Sequence, residues 1–68
     1  MFDRNTRIRE IMNLPGIIPL IEKHTGQKMT PAYLKLGANI TLAKAGAYMR
    51  WNDEQLDAVI AEINALVG

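Results

Sequence analysis

Residues 51–67 read WNDEQLDAVIAEINALV and carry the strongest helix signal in the chain. Asn52 is a favoured N-cap residue, and Gln55 three positions later can complete a capping box. Trp51 and Leu56 flank the cap at the spacing of a hydrophobic staple. Helical spacing of apolar residues then predicts one buried stripe, made of Leu56, Val59, Ile60, Ile63 and Val67 with Leu66 beside them. A helix cannot bury such a stripe alone, so the rest of the chain must pack against it.

Start and stop signals divide the preceding residues into shorter helices. Thr30 and Thr41 are N-cap residues, while Pro15, Gly26 and Gly37 end or interrupt helices. The predicted short helices span residues 6–14, 16–24, 31–36 and 42–49. No segment alternates with a period of two, so no strand is predicted. We expect a single all-α domain over residues 1–68, a compact irregular bundle of four to five short helices with the longest at the C-terminal end.

Gly46 lies in the middle of the helix predicted over residues 42–49. Glycine costs about 1 kcal/mol relative to alanine at such a position. Close packing against another helix would account for it, and we expect the last helix to cross there.

The composition argues against an enzyme. The chain has neither Cys nor Ser, and three of its threonines, Thr6, Thr30 and Thr41, are predicted to serve as helix caps. The single histidine, His24, has no visible orienting acid or companion ligands, and its position at a helix C-terminus suits an interaction with the helix dipole. We therefore predict no catalytic residue, no cofactor and no metal ligand.

The sequence predicts neither membrane insertion nor export. No apolar run is long enough to span a bilayer, and Asp3 and Arg4 stand where a signal peptide would need a different pattern. The compartment stays open at this point, with a cytoplasmic location favoured over the alternatives. The chain is either a complete protein or a domain excised from a larger one.

The charges are unevenly distributed, and two interpretations remain open. Residues 23–50 hold five cations and no acid, whereas residues 51–68 hold four acids and no cation. The basic middle and the acidic last helix could simply attract each other. Alternatively, an acidic partner such as nucleic acid could bind through Lys28, Lys35, Lys44 and Arg50. The cations are singly spaced and the last helix begins with acids, which disfavours nucleic acid.

Several short motifs follow one another in a fixed order and together cover nearly the whole chain. They are Phe2-x3-Thr6-x-Ile8-x-Glu10-Ile11, Pro15, Leu20-Ile21-Glu22-Lys23-His24, the short helix with Pro31, Thr41-Leu42, Asp53-Glu54 and Ile63-x2-Leu66. This order resembles a small helical module at the C-terminal end of bacterial glycoside hydrolases of the β-glucosidase type. The chain differs in having Thr25-Gly26 where that module has a proline. It is also similar to a short bacterial domain of unknown function, often linked to redox proteins, whose usual Cys-x2-Cys is absent here.

Both resemblances imply a non-catalytic accessory module, and neither transfers functional residues to this chain. We therefore predict an interaction role, in which the domain docks on a parent enzyme or on a second copy of itself. Docking needs apolar surface beyond the core. Ile18, Tyr33 and Leu36 lie off the predicted stripes of their helices, so we expect some of them to be exposed in one continuous patch.

Overall fold

The computed structural model describes residues 1–68 and contains four α-helices and one short 3₁₀ turn. After the 3₁₀ turn (Ile8–Glu10) come α1 (Ile17–Thr25), α2 (Pro31–Leu36), α3 (Leu42–Tyr48) and α4 (Asp53–Val67). The all-α architecture with its longest helix last is as predicted. The one extended pairing is an isolated antiparallel bridge between Arg7 and Thr41. None of the helices combines the length and apolar character needed to cross a membrane.

The predicted caps begin the last three helices. In each case the cap side chain accepts a hydrogen bond from the backbone N–H three residues ahead: Thr30 from Tyr33 (3.1 Å), Thr41 from Lys44 (3.2 Å) and Asn52 from Gln55 (2.7 Å). The Gln55 side chain makes no bond back to Asn52, so the capping box is half formed. Local chemistry therefore sets where these helices start.

Helix α1 is bounded by two glycines in the left-handed conformation. Gly16 precedes it with φ 87°, and Gly26 follows it with φ 70°. The N–H of Gly26 donates to the carbonyl of Glu22 at 2.8 Å, which closes the C-terminus. Pro19 lies in the first turn, where its missing N–H breaks no helical bond.

The helix predicted over residues 6–14 is wrong. Only Ile8–Glu10 are helical, in a single 3₁₀ turn followed by irregular turns. Thr6 does not cap a helix, because its hydroxyl oxygen accepts the N–H of Asp3 at 2.9 Å in a turn further upstream.

Backbone hydrogen bonds to the middle of the chain replace this missing helix. The N–H groups of Ile8 and Arg9 donate to the carbonyls of Ile40 and Ala38, each at 2.9 Å. In return, the carbonyl of Thr6 accepts the N–H of Leu42 at 2.8 Å. A continuous α-helix from Thr6 would use its carbonyls internally, so this docking and the predicted helix compete.

The core is built around α4 and the buried isoleucines. Ile11 and Ile63 have no exposed surface, and Ile17 and Val59 are 1% exposed. The predicted stripe is buried from Leu56 to Ile63, but Val67 is 55% exposed, which corrects its assignment. Gly16, just before the start of α1, lies against the side chain of Leu66. Helix α1 therefore does not cover Val67, the last residue of α4.

The crossing of α3 over α4 occurs at Gly46, as predicted. Gly46 is buried, and a Cβ atom placed on it would lie 3.2 Å from Leu56 Cδ1 and 3.4 Å from Trp51 Cε3. Both residues of the predicted staple therefore approach the same point of α3.

The N-terminal segment is fastened to α4. The N–H of Phe2 donates to Asn64 Oδ1 at 2.8 Å, and Asn64 Nδ2 donates to the Phe2 carbonyl at 3.0 Å. Two residues later, Arg4 pairs with Asp53 at 3.1 Å and with Asp57 at 2.9 Å. Phe2 packs against the core in consequence.

Candidate interaction surface

An apolar groove of about 350 Å³ opens between α2 and α3. Of its 17 lining residues, 15 are hydrophobic. Its floor includes three of the most buried side chains of the core, Ile11, Val59 and Ile63. Its walls are Tyr33, Leu34 and Leu36 on one side and Leu42, Ala45, Tyr48 and Met49 on the other.

The groove exists because its two walls are attached to different parts of the fold. Helix α2 packs on the 3₁₀ turn, whereas α3 packs on α4. Helix α2 has only six residues, and it turns Leu34 into the core while its neighbours remain outside. Core side chains therefore form the bottom of the gap between the two helices, and no side chain closes its top.

The structure brings together two of the three residues predicted for docking. Tyr33 is 54% exposed, Leu36 is 89% exposed, and both line the groove. Ile18 is half-buried against the core and does not line the groove, so it does not share a patch with the other two. Its position on α1 explains this, because α1 packs along α4 and contributes only Ile21 and Thr25 to the groove.

Sequence reasoning missed Tyr48. This tyrosine ends α3, is 65% exposed and lines the groove opposite α2. A signal was present, because Tyr48 follows Ala45 by three residues and Ala45 follows Leu42 by three. That spacing extends the apolar face of α3 to its last residue.

The segment that forms both walls of the groove, residues 25–52, carries positive charge only, whereas the acids Glu10, Glu22 and Glu62 are neighbours in sequence of residues on its other sides. Residues 25–52 contain no acidic residue. Their four cations are exposed and form no ion pair: Lys28, Lys35, Lys44 and Arg50. Each of them is adjacent in sequence to a residue that lines the groove.

Arg50 adopts an unusual backbone conformation. It follows α3 with φ 59°, in the left-handed region where helices more often place glycine. It is the only residue other than glycine with a positive φ. An arginine at this position costs the fold about 1–2 kcal/mol relative to an unstrained conformation.

Three of the four acidic side chains of α4, Asp53, Asp57 and Glu62, have partners elsewhere in the fold. Glu62 pairs with Lys23 and with Nε2 of His24. The hydrogen bond from Lys23, and to a smaller extent the one from His24, holds the pKa of Glu62 below its usual range. His24 also meets Trp51 edge to face, with ring centroids 6.2 Å apart. The histidine therefore bridges α1 to α4, a contact that the helix-dipole interpretation did not include.

Of the five cations in residues 23–50, only Lys23 forms the predicted ion pair with an acid of the last helix. Lys23 reaches α4, and the other partner of the acids there, Arg4, comes from the N-terminal segment. No group of three or more His, Cys, Asp or Glu side chains is arranged to hold a metal ion.

The chain matches no protein-family model, and neither a curated protein nor a solved structure matches it. The two resemblances drawn from its short motifs therefore remain hypotheses.

Proposed function

We propose that this chain is a non-catalytic interaction module that binds a partner protein through the groove between α2 and α3. One observation carries the proposal: the domain leaves an apolar groove uncovered, with Leu36 on its wall 89% exposed. A small domain has little apolar area to spare, and a large open apolar patch commonly marks an interaction site. The partner would be a parent enzyme domain or a second copy, in keeping with the accessory role that the resemblances imply.

The composition of the wall supports protein binding. Tyr33 and Tyr48 stand on opposite helices, each more than half exposed. Tyrosine is enriched among residues that dominate binding energy, since its large rigid ring loses little entropy on burial. Leu36, on the same helix as Tyr33, adds an aliphatic contact to the wall.

Peptide display against the immobilised domain tests the proposal. Peptides selected for binding should compete with one another for one site. Their affinity should fall about tenfold or more on Leu36→Ser, the loss typical of a strong interface residue. The matched control is Val67→Ser, which changes an apolar residue that is 55% exposed and lies outside the groove.

Both variants should remain folded, because exposed substitutions usually change stability by about 0.5 kcal/mol or less. Selected peptides that bind Leu36→Ser as tightly as the parent domain would place the interaction elsewhere and contradict the proposal.

A second candidate function follows from the four unpaired cations. Lys28, Lys35, Lys44 and Arg50 could bind a polyanion such as nucleic acid. Binding of a single-stranded oligonucleotide would then weaken steeply with salt, because each phosphate contact releases a counterion. Docking of an uncharged apolar segment in the groove would be nearly indifferent to salt.

A further inference from the structure

We infer that the groove receives an amphipathic helix with acidic flanks, presented by a protein other than a second copy of this chain. The inference rests on the proposed function and names the partner of the same site.

The dimensions of the groove suit a helix. Helix α3, which forms one wall, has seven residues and is therefore about 10 Å long. The anchors of a bound helix at positions i, i+3 or i+4, and i+7 span about the same distance. Docking of an extended peptide onto a sheet edge is not available, because the fold contains no strand.

The lining favours aliphatic or aromatic anchors. Leu34, Leu42, Met29 and Ile40 contribute branched or flexible apolar surface on and between the walls. Such surfaces adapt to leucine or phenylalanine side chains and offer few hydrogen bonds for a polar ligand. Specificity must therefore come from the rim.

Charge at the rim selects acidic flanks. Residues 25–52 carry four free cations and no acid. Lys28, Lys44 and Arg50 are each adjacent in sequence to a groove-lining residue, so a partner in the groove lies near positive charge, whereas Lys35 lines a second depression on the surface. Complementary charge speeds association and rejects wrong partners, whereas like charge costs affinity. Arg50 adds to this pattern from its left-handed position, where glycine would suit the backbone better.

The same charge argues against a second copy. In a two-fold dimer the same surface faces itself, so the cations of one groove would meet those of the other. The chain also has no free amphipathic helix to insert, because the apolar stripe of α4 is buried in its own core. The acids Glu62, Asp53 and Asp57 on that helix already have partners.

Three synthetic peptides of about 15 residues, four helical turns, test the inference. The first has leucines at i, i+3, i+4 and i+7 with glutamates outside, the second has lysines in place of the glutamates, and the third has the first composition in scrambled order. Fluorescence anisotropy at low and high salt measures each affinity. We expect the acidic peptide to bind about tenfold tighter than the basic one at low salt, with a smaller difference at high salt. The scrambled peptide should bind weakly.

Variants of the domain separate the apolar and charged contributions. Leu36→Ser should weaken the acidic and the basic peptide alike. Lys44→Glu should weaken only the acidic one. Arg50→Gly should also weaken the acidic peptide while leaving the thermal midpoint unchanged or higher, because glycine relieves the left-handed backbone.

Equal binding of the acidic and basic peptides, both weakened by Leu36→Ser, would overturn the inference and leave the proposed function standing. Dimerisation of the domain in sedimentation experiments, abolished by Leu36→Ser, would do the same in favour of a second copy. If the affinity of the acidic peptide is the same for Leu36→Ser as for the parent domain, the inference and the proposed function are both overturned.

Discussion

Gly46 sets the distance between α3 and α4. A Cβ atom at this position would approach Leu56 at 3.2 Å, closer than side chains normally pack, and would touch Trp51 at 3.4 Å. Glycine lowers the helix propensity of α3 by about 1 kcal/mol relative to alanine, but it allows the two helices to cross closely.

Gly46→Leu should overpack this crossing and destabilise the domain by about 1–3 kcal/mol. Chemical denaturation followed by circular dichroism measures the change. Gly46→Ala is the control: it gains helix propensity but needs a small shift of Leu56, so its stability should stay close to that of the parent. A leucine variant more stable than the parent would show that the helices are free to separate.

Glu62 makes the fold sensitive to acid. Lys23 and His24 hold the pKa of its carboxyl below the usual value of about 4.3. The ionised carboxylate therefore stabilises the fold at pH values above its usual pKa. This contribution disappears as the pH falls through the lowered pKa of the folded state. In thermal melts, the advantage of the parent over Glu62→Gln should be full at pH 5 and should shrink at lower pH.

Glu54→Gln supplies the matched control, because Glu54 lies on the same helix and makes no ion pair. Its difference from the parent should vary less with pH. An advantage over Glu62→Gln that grows on acidification would mean that the pair with Lys23 and His24 does not favour the ionised carboxylate.

Helix α4 is stabilised by its buried stripe, which ends one turn before the helix does. Ile63 has no exposed surface, whereas Val67, four residues later on the same face, is 55% exposed. Ile63→Ala should therefore destabilise the domain by about 2–5 kcal/mol, and Val67→Ala should have almost no effect. Denaturant midpoints of the two variants test this. Similar losses from both would mean that the end of α4 is covered in solution.

The elements that were predictable from sequence are those whose signals are local. Thr30, Thr41 and Asn52 each bond to an N–H three residues away, so their helices begin where the cap residues stand. The segment at residues 6–14 was not predictable in this way. Its backbone hydrogen-bond partners, Ala38 and Ile40, lie about thirty positions further along the chain. No sequence pattern within the segment predicts these hydrogen bonds.

At the scale of the whole molecule, the groove was only partly foreseen. Tyr33 and Leu36 could be identified because a six-residue helix cannot bury every side. Ile18 was assigned to the same surface because a sequence does not show which way two helices face relative to each other. The groove depends on the separate attachment of α2 and α3, which is a property of the assembled fold.

A domain of this size has a net stability of roughly 3–10 kcal/mol. Leaving apolar side chains such as Leu36 and Tyr48 outside the core removes part of the gain that would otherwise come from burial. A bound partner helix would recover that gain, so ligand binding and stability are linked through the groove.

The hydrogen bonds that join Phe2 to Asn64 have a consequence for how the chain folds. Their partners are separated by 62 positions, nearly the full length of the chain. Contacts of such high sequence separation form only after a large loop has closed, and they slow folding in proportion. Residues 1–4 are synthesised before α4 and must wait for it, so this domain completes its fold only after synthesis of α4, although its individual helices are short and can form quickly.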